Sequence, residues 1–295
     1  SAWNIDIEYQ NKWWNVNDVK SIDVIESSSI KGVLRIVKKF NKSEITQDII
    51  IYASTPRIDF HTKVDWQETE KLLKAAFDVD ILSPQATYEI AFGAIKRPTH
   101  WNTSWDRARF EVPAHKWADL SEGGYGVSIL NDCKYGYDIK GNVMRITLLK
   151  APVYPDPVAD KGCHEFVYSL YPHSGSWIDG NVVHAGYELN VPLTSVALGE
   201  NLNGSLPTNM SFIETDSSNV IVDTLKSAED GEGFILRVYE SCGCRGNVMI
   251  KMFLDVSEAF ECNLMEENEK KLDINNGEIN FYIKPYEIKT FRLIR

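Results

Sequence analysis

The first residues in this sequence that could carry chemistry follow a short apolar strand. The predicted strand 127–130 leads directly into Asn131, Asp132, Lys134 and Tyr135, which bring an amide, a carboxylate, an ammonium group and a phenol close together. A strand that delivers polar groups at its end is a common way to build a site. The same residues also suit a hairpin turn with a satisfied Asp, so the pattern leaves both interpretations open.

Metal and nucleophile signatures are absent from the sequence. None of the six histidines begins a His-x-Asp, His-x-His or His-x-x-x-His element, although a zinc hydrolase needs histidines and a carboxylate around one ion. Cys242 and Cys244 are the one close cysteine pair, and they lack the C-x-x-C spacing of zinc and redox sites. No Gly-x-Ser-x-Gly elbow and no phosphate-binding loop occurs.

Three tryptophans lie close together in the sequence and offer a second kind of site. Trp101, Trp105 and Trp117 stand among Asp and Arg residues. Aromatic rings beside such groups bind sugars through their apolar faces and through hydrogen bonds. Tryptophan also fills the seam between two sheets, and this packing role is the more frequent one.

The elements that must position these residues read mainly as β-strands. Residues 57–66 alternate strictly, with apolar side chains and Thr62 on one face and charged side chains on the other. Residues 68–77 give the one helical pattern. Further strands are predicted at 33–37, 49–52, 127–130, 143–148, 166–170, 211–213, 220–224, 234–239, 248–254, 279–283 and 288–294. The sequence therefore predicts an all-β fold.

Length and charge narrow the class of protein. The 295 residues suffice for two domains, and 31 Lys and Arg against 42 Asp and Glu give a net charge of −11. We therefore expect no nucleic-acid partner and no membrane partner. The odd, scattered set of five cysteines predicts reduced thiols and a cytoplasmic location. A Gly, Asn and Pro cluster at 201–207 predicts two domains, 1–204 and 205–295.

Several long segments of the chain resemble one known family. Residues 97–138, RPTHWNTSWDRARFEVPAHKWADLSEGGYGVSILNDCKYGYD, are similar to the C-terminal half of the α-mannosidases of glycoside hydrolase family 38, notably the cytosolic and bacterial branch. LLKAPVYPDP at 148–157 and HEFVYSLYPHSG at 164–175 fit the same family, as do 56–80 and 286–293. The similarity extends over nearly the whole chain.

The resemblance implies both a fold and an activity. It implies a large antiparallel supersandwich of the galactose-mutarotase type, followed by a smaller C-terminal β-sandwich. For the full-length enzyme it implies retaining hydrolysis of terminal α-mannosides, with an Asp nucleophile, a carboxylic acid as acid/base and a zinc ion held by His and Asp. Retaining hydrolysis needs two carboxyl groups about 5 Å apart.

The chain departs from the family pattern by lacking the His-x-Asp and His-His-Asp elements. We therefore predict no catalytic residue, no metal and no cofactor here, and zinc in the full-length enzyme alone. The expected partners are the N-terminal catalytic domain and, through it, a mannose-containing oligosaccharide. In relatives the β half contributes loops to the rim of the pocket, so Asp132, Lys134 and Tyr135 are predicted to contact substrate.

Two other functions stay open at this point. One is a stand-alone carbohydrate-binding module that uses Trp101, Trp105 and Trp117. The other is an aldose epimerase, which rests on fold analogy alone and would need a convergent His and Glu.

Overall fold

The chain folds into two compact units that consist almost entirely of antiparallel β-sheet. The computed structural model describes residues 2–197, 199, 204, 205 and 207–295. The first unit comprises Ser1–Ile90 and Ile95–Pro192, and the second comprises Ala91–Ala94 and Leu193–Arg295. The predicted boundary at 204/205 lies in a segment, 201–207, of which residues 201–203 and 206 are outside the described residues. That boundary stays a prediction.

The first unit contains two sheets and a few short helices. Its strands are β1 Asp18–Ser27, β2 Lys31–Phe40, β3 Ser43–Tyr52, β4 Ile58–Trp66, β5 Leu73–Asp78, β6 Gln85–Ile90, β7 Gly93–Pro98, β8 Val112–Pro113, β9 Trp117–Ser121, β10 Tyr125–Asn131, β11 Gly136–Lys140, β12 Val143–Leu149 and β13 Gly162–Ser174. The first two residues of β7 are assigned to the second unit. Its helices are a 3-10 helix at Ile7–Asn11, α1 at Ser104–Ala108 and α2 at Val182–Asn190.

The two sheets of the first unit enclose one hydrophobic core. The large sheet has the order β1-β2-β3-β4-β13-β10-β9-β6-β7, and the small one has the order β5-β12-β11-β8. Period-two alternation sends one face of each strand into the core, as in β4, where Val64 and Trp66 are buried while Lys63 and Asp65 are exposed. Phe166 contributes to this core from β13, and Ile146 contributes from β12.

Helix α2 covers part of the opposite face of the large sheet, over β9 and β10. Its buried residues are Val182, Val183, Ala185 and Gly186. Close to this helix the indole rings of Trp117 and Trp177 stack, with their centroids 5.1 Å apart. This part of the large sheet is therefore packed on both faces.

The second unit is a smaller sandwich with a core of its own. Its strands are β14 Ile213–Thr215, β15 Val220–Ser227, β16 Phe234–Glu240, β17 Gly246–Met252, β18 Glu258–Cys262, β19 Asn268–Leu272, β20 Glu278–Ile283 and β21 Ile288–Ile294. They form the sheets β14-β17-β20 and β15-β16-β21-β18-β19. Ile250 and Ile279 in the first sheet and Leu236 and Phe291 in the second are completely buried.

The predicted fold class is confirmed, since the chain is mostly antiparallel β-sheet arranged as a large and a small sandwich. The helix predicted at 68–77 is wrong. Residues Leu73–Asp78 form β5, because Leu73, Ala75 and Phe77 alternate along an extended chain and β5 pairs with β12. Helix α2 was not predicted. Among the described residues no helix has the length and apolarity to cross a membrane.

A buried carboxylate holds the loops at one end of the second unit. Glu240 has no exposed surface. Its Oε1 accepts hydrogen bonds from Asn219 Nδ2 and Cys242 N, both at 2.9 Å. Its Oε2 accepts from Gly243 N at 2.8 Å and from Tyr286 N at 3.0 Å. One side chain thus satisfies four donors from three segments of the chain.

We expect Glu240→Gln to destabilise the protein by about 1–2 kcal/mol, because the amide NH₂ of Gln would face two partly buried N–H donors and leave them without an acceptor. The measurement is urea-induced unfolding followed by circular dichroism. Glu214→Gln, at an exposed position in β14, is the matched control and should change the free energy of unfolding by less than about 0.5 kcal/mol. Equal losses in the two variants would contradict a structural role for the Glu240 carboxylate.

Candidate functional site

The predicted turn begins at Asn131, the last residue of β10, whose side chain is completely buried. Its Nδ2 donates to the carbonyl oxygen of His115 at 2.7 Å and to the hydroxyl oxygen of Tyr137 at 2.5 Å. Its Oδ1 accepts from the backbone N–H of Lys134 at 2.7 Å. Asn131 therefore fixes the path of the turn from inside and has no surface with which to touch a ligand.

Asp132 fastens the turn to the neighbouring strand β13. Its backbone N–H donates to the carbonyl oxygen of Val167 at 3.1 Å, and its Oδ2 accepts from the N–H of Val167 at 3.0 Å. The other carboxylate oxygen, Oδ1, is buried without a hydrogen-bond partner. Partial burial of the adjacent thiol, with the Asp132 carboxylate beside it, raises the pKa of Cys133 to about 11.

Lys134 and Tyr135 are the predicted site residues whose ammonium and phenol groups take no part in the hydrogen bonds described above for the turn. The Lys134 ammonium group lies 4.5 Å from the centroid of the buried Phe166 ring. Tyr135 is 52% exposed, and its ring lies 6.1 Å from that of His115. The structure thus brings the three predicted residues into one rigid turn, and their contact with substrate stays a prediction.

A buried Ser, His and Asp set, which the sequence did not reveal, lies in the large sheet. Asp119 Oδ2 is 2.8 Å from His173 Nε2 and accepts from Ser128 Oγ at 2.8 Å. Ser128 Oγ is 3.4 Å from the same Nε2 atom. A catalytic triad places the serine and the carboxylate on opposite nitrogens of the ring, so this geometry is not one.

Two glycines pack directly against the His173 ring. A Cβ at Gly126 would lie 2.3 Å from its Cε1, and a Cβ at Gly180 would lie 2.4 Å from its Cγ. These contacts close the space around the ring, whose side chain is 2% exposed. His173, Asp119 and Ser128 therefore act as an internal polar link between β13, β9 and β10.

A second charged cluster joins the small sheet to the N-terminal 3-10 helix. Lys74 Nζ lies 2.5 Å from Glu111 Oε2 and 2.6 Å from Asp138 Oδ2, and Arg145 Nη1 donates to Asp138 Oδ1 at 2.7 Å. Burial alone would lower the pKa of Lys74, but the two carboxylates outweigh it and the pKa is raised. The Tyr9 hydroxyl lies 3.4 Å from both carboxylates. Each carboxylate is thus engaged by a cation, which is a structural arrangement.

The three tryptophans proposed as a sugar-binding face do not form one. Trp117 is 1% exposed and stacks on Trp177, so it cannot receive a ligand. Trp105 lies in α1 and is exposed, while the Trp101 ring has the Lys140 ammonium group 3.5 Å from its centroid. The alternative of a sugar-binding face is therefore excluded for Trp117, whose burial depends on Trp177 from a distant part of the sequence.

His164 and Glu165 do not converge as an epimerase would require. They are successive residues of β13, which places their side chains on opposite faces. His164 Nε2 lies 2.8 Å from the carbonyl oxygen of Asp160, and Glu165 pairs with Lys63 at 3.4 Å.

The five cysteines are free thiols. No group of three or more His, Cys, Asp or Glu that could hold a metal ion is found among the described residues.

The thiol of Cys133 reports on the electrostatics of the turn. Asp132→Asn removes a negative charge that raises the pKa of Cys133, so more thiolate should be present at pH 8.5 and alkylation by iodoacetamide should accelerate about threefold. Lys134→Met removes a charge that lowers the same pKa, so it should slow the reaction. Peptide-resolved mass spectrometry gives both rates, with the exposed Cys163 as an internal reference. An unchanged or slower rate in Asp132→Asn would show that the carboxylate does not act on this thiol.

Two protein-family models match this chain. Residues 1–158 match the model described as "Glycosyl hydrolases family 38 C-terminal domain", and residues 219–291 match "Glycosyl hydrolases family 38 C-terminal beta sandwich domain". These two matches fall in the large and the small sandwich, respectively.

Individual relatives agree with the family models. The chain is 40% identical over 257 residues to alpha-mannosidase 2C1 of Homo sapiens, covering 85% of this chain and 24% of that protein. It is 44% identical over 253 residues to alpha-mannosidase G of Dictyostelium discoideum, covering 85% of this chain and 23% of that protein. The chain thus spans about a quarter of the length of the curated relatives it matches.

The fold agrees with a solved structure as well. The crystal structure of an alpha-mannosidase from Enterococcus faecalis V583 superposes with a TM-score of 0.77 at 14% identity, over 92% of this chain and 34% of that chain. Sequence and fold lead to one assignment: the chain belongs to glycosyl hydrolase family 38, in the region of the C-terminal domains of that family.

Proposed function

We propose that this chain is the C-terminal β region of an α-mannosidase, in which it scaffolds the catalytic domain and completes the substrate pocket. The observation that carries the proposal is the match of 85% of this chain to about a quarter of proteins named as α-mannosidases. The full-length enzyme would hydrolyse terminal α-mannosides with retention of configuration, through two carboxyl groups about 5 Å apart. Those carboxyl groups would lie outside this chain.

The turn Asn131–Tyr135 is the part of the first unit that we assign to the pocket. Asn131 and Asp132 hold its backbone through hydrogen bonds to two strands and to the turn itself. A backbone fixed in this way positions the side chains of Lys134 and Tyr135 without further loss of conformational entropy on binding. An ammonium group and a phenol can donate hydrogen bonds to sugar hydroxyls, so these two residues would orient the substrate.

Zinc would belong to the catalytic domain of the full-length enzyme, where it would contact sugar hydroxyls. The residues described here do not fit such an ion, because no group of three or more metal-binding side chains comes together among them. The pair Glu111 and Asp138 is already bound by Lys74 and Arg145. We therefore place no zinc ligand among the described residues of this chain.

The setting that we propose for the assembled protein is the cytoplasm. Five free thiols, three of them exposed, are compatible with a reducing compartment. The partners would be the catalytic domain and, through it, a mannose-containing oligosaccharide. The net charge of −11 gives no support for a nucleic acid as partner.

The 295-residue chain alone should not hydrolyse 4-nitrophenyl α-mannoside, with or without added zinc, because its close carboxylate pair, Glu111 and Asp138, is already bound by Lys74 and Arg145. The control is a longer protein that contains the chain together with a family 38 catalytic domain, which should release nitrophenol under the same conditions. Turnover by the 295-residue chain itself would overturn the assignment of catalysis to another domain.

Within that longer protein, Lys134→Met and Tyr135→Phe should raise KM about three- to tenfold, which corresponds to the loss of one hydrogen bond to substrate. Lys63→Met, at an exposed pair on β4, is the matched control and should leave KM unchanged. Unchanged kinetics in both turn variants would contradict a role of this turn in the pocket, while leaving the family assignment intact.

A further inference from the structure

A groove in the first unit, remote in sequence from the turn, combines exposed tryptophans with surplus positive charge. We call it the tryptophan groove and define it by Trp13, Trp14, Phe40, Trp66, Lys71 and Arg145. Its volume is about 620 Å³, within the range of small-molecule sites. The N-terminal segment forms one wall, and residues of β2, β4, β5 and β12 form the others.

The aromatic surface of the groove is held in place and still exposed. Trp13 is 64% exposed and Trp14 is 48% exposed. The Trp13 indole N–H donates to the carbonyl oxygen of Gln10 at 3.0 Å, and the Arg145 guanidinium carbon lies 5.2 Å from its ring centroid. Arg145 in turn is fixed by Asp138. An exposed indole that is anchored at its edges is suited to stacking against a sugar ring.

Positive charge exceeds negative charge around these rings. Lys74 and Arg145 are neutralised by Glu111 and Asp138, as described above. Four further lysines line the groove against two acids, Glu8 and Glu70: Lys12, Lys38, Lys71 and Lys140. Among the residues that the structure describes, no carboxylate lies within ion-pair distance of these four lysines, although Lys71 is close enough to Glu68 for an electrostatic attraction.

Two of the lysines share one indole ring. Lys12 Nζ lies 4.9 Å and Lys71 Nζ lies 4.8 Å from the centroid of Trp14. Like charges near one ring repel each other, and a bound anion would reduce that repulsion. In a chain of net charge −11 such a local excess favours a small anion over an extended polyanion, which the surrounding surface would repel.

We propose that the tryptophan groove binds a phosphorylated sugar, with the sugar ring on the exposed indole of Trp13 and the phosphate at Lys12 and Lys71, which Trp14 holds together. A hexose phosphate fits the volume, an indole stacks on its C–H face, and ammonium groups bind its phosphate as point charges. The site is separate from the proposed role of the turn Asn131–Tyr135 and does not depend on it, since binding here needs no catalytic domain.

The test is titration of the 295-residue chain with mannose 6-phosphate, followed by calorimetry and by tryptophan fluorescence. We expect saturable binding that is at least tenfold tighter than that of mannose or of inorganic phosphate alone, and that weakens as KCl is raised. No saturation by mannose 6-phosphate would overturn the proposal. Equal affinity for mannose would overturn the anion requirement, and equal affinity for inorganic phosphate would overturn the role of the sugar.

Substitutions in the groove test whether mannose 6-phosphate binds there. Trp14→Ala and Lys71→Met should each weaken binding of mannose 6-phosphate at least tenfold. Trp105→Ala, at an exposed tryptophan in α1, and Lys63→Met, at an exposed lysine of β4, are matched controls that should bind as the unmodified chain does. Near-ultraviolet circular dichroism checks that each variant is folded. Binding that survives in folded Trp14→Ala and Lys71→Met would place the ligand elsewhere and reject this site.

Discussion

The buried side chain of Asn131 is the interaction on which the candidate site depends. Its amide joins the end of β10, in the large sheet, to the hydroxyl of Tyr137 in β11, in the small sheet. The backbone carbonyl oxygen of the same residue accepts from Asn190 Nδ2 at the end of α2, at 2.9 Å. One residue thus connects both sheets and the covering helix at the point where the turn leaves the core. Because the side chains of Asn131 and Tyr137 are completely buried, leaving either of them unpaired costs free energy, which favours one conformation of the turn.

The other polar groups inside the first unit work in the same way, as links between elements. Asp119 and His173 connect three segments of the large sheet, and Lys74 with its two carboxylates connects the small sheet to the N-terminal helix. None of these sets leaves a free nucleophile or an uncommitted acid facing an open cleft. The buried charged groups of this chain therefore have a structural role. In the proposed full-length enzyme, the catalytic groups would lie in another domain.

Sequence alone predicted the sandwich fold well, because alternation of side chains along a strand is a local property. The strands at 57–66 and 288–294 follow directly from that alternation. Prediction from sequence failed at β5. There Leu72, Leu73, Ala76 and Phe77 fit a helical period, while Leu73, Ala75 and Phe77 fit an extended one. Pairing with β12, about 70 residues further along the chain, decides between them, and no local pattern records this partner.

The candidate sites were less predictable because they depend on contacts across long stretches of sequence. Asn131 to Tyr135 could be nominated as a group, but the inward direction of Asn131 depends on His115 and Tyr137. The burial of Trp117 depends on Trp177. The tryptophan groove brings Trp13 and Trp14 to Lys71 and Arg145, and only the adjacent pair at 13 and 14 is visible in the sequence.

The central claim is that this β region presents a rigid turn to a pocket whose catalytic groups lie in another domain. The most direct measurement is a crystal structure of the longer enzyme with a non-hydrolysable α-mannoside bound. The account predicts that Lys134 or Tyr135 lies within hydrogen-bond distance of the sugar, on a turn still held by Asn131. A sugar bound far from this turn, or a catalytic carboxylate supplied by the 295 residues themselves, would contradict it.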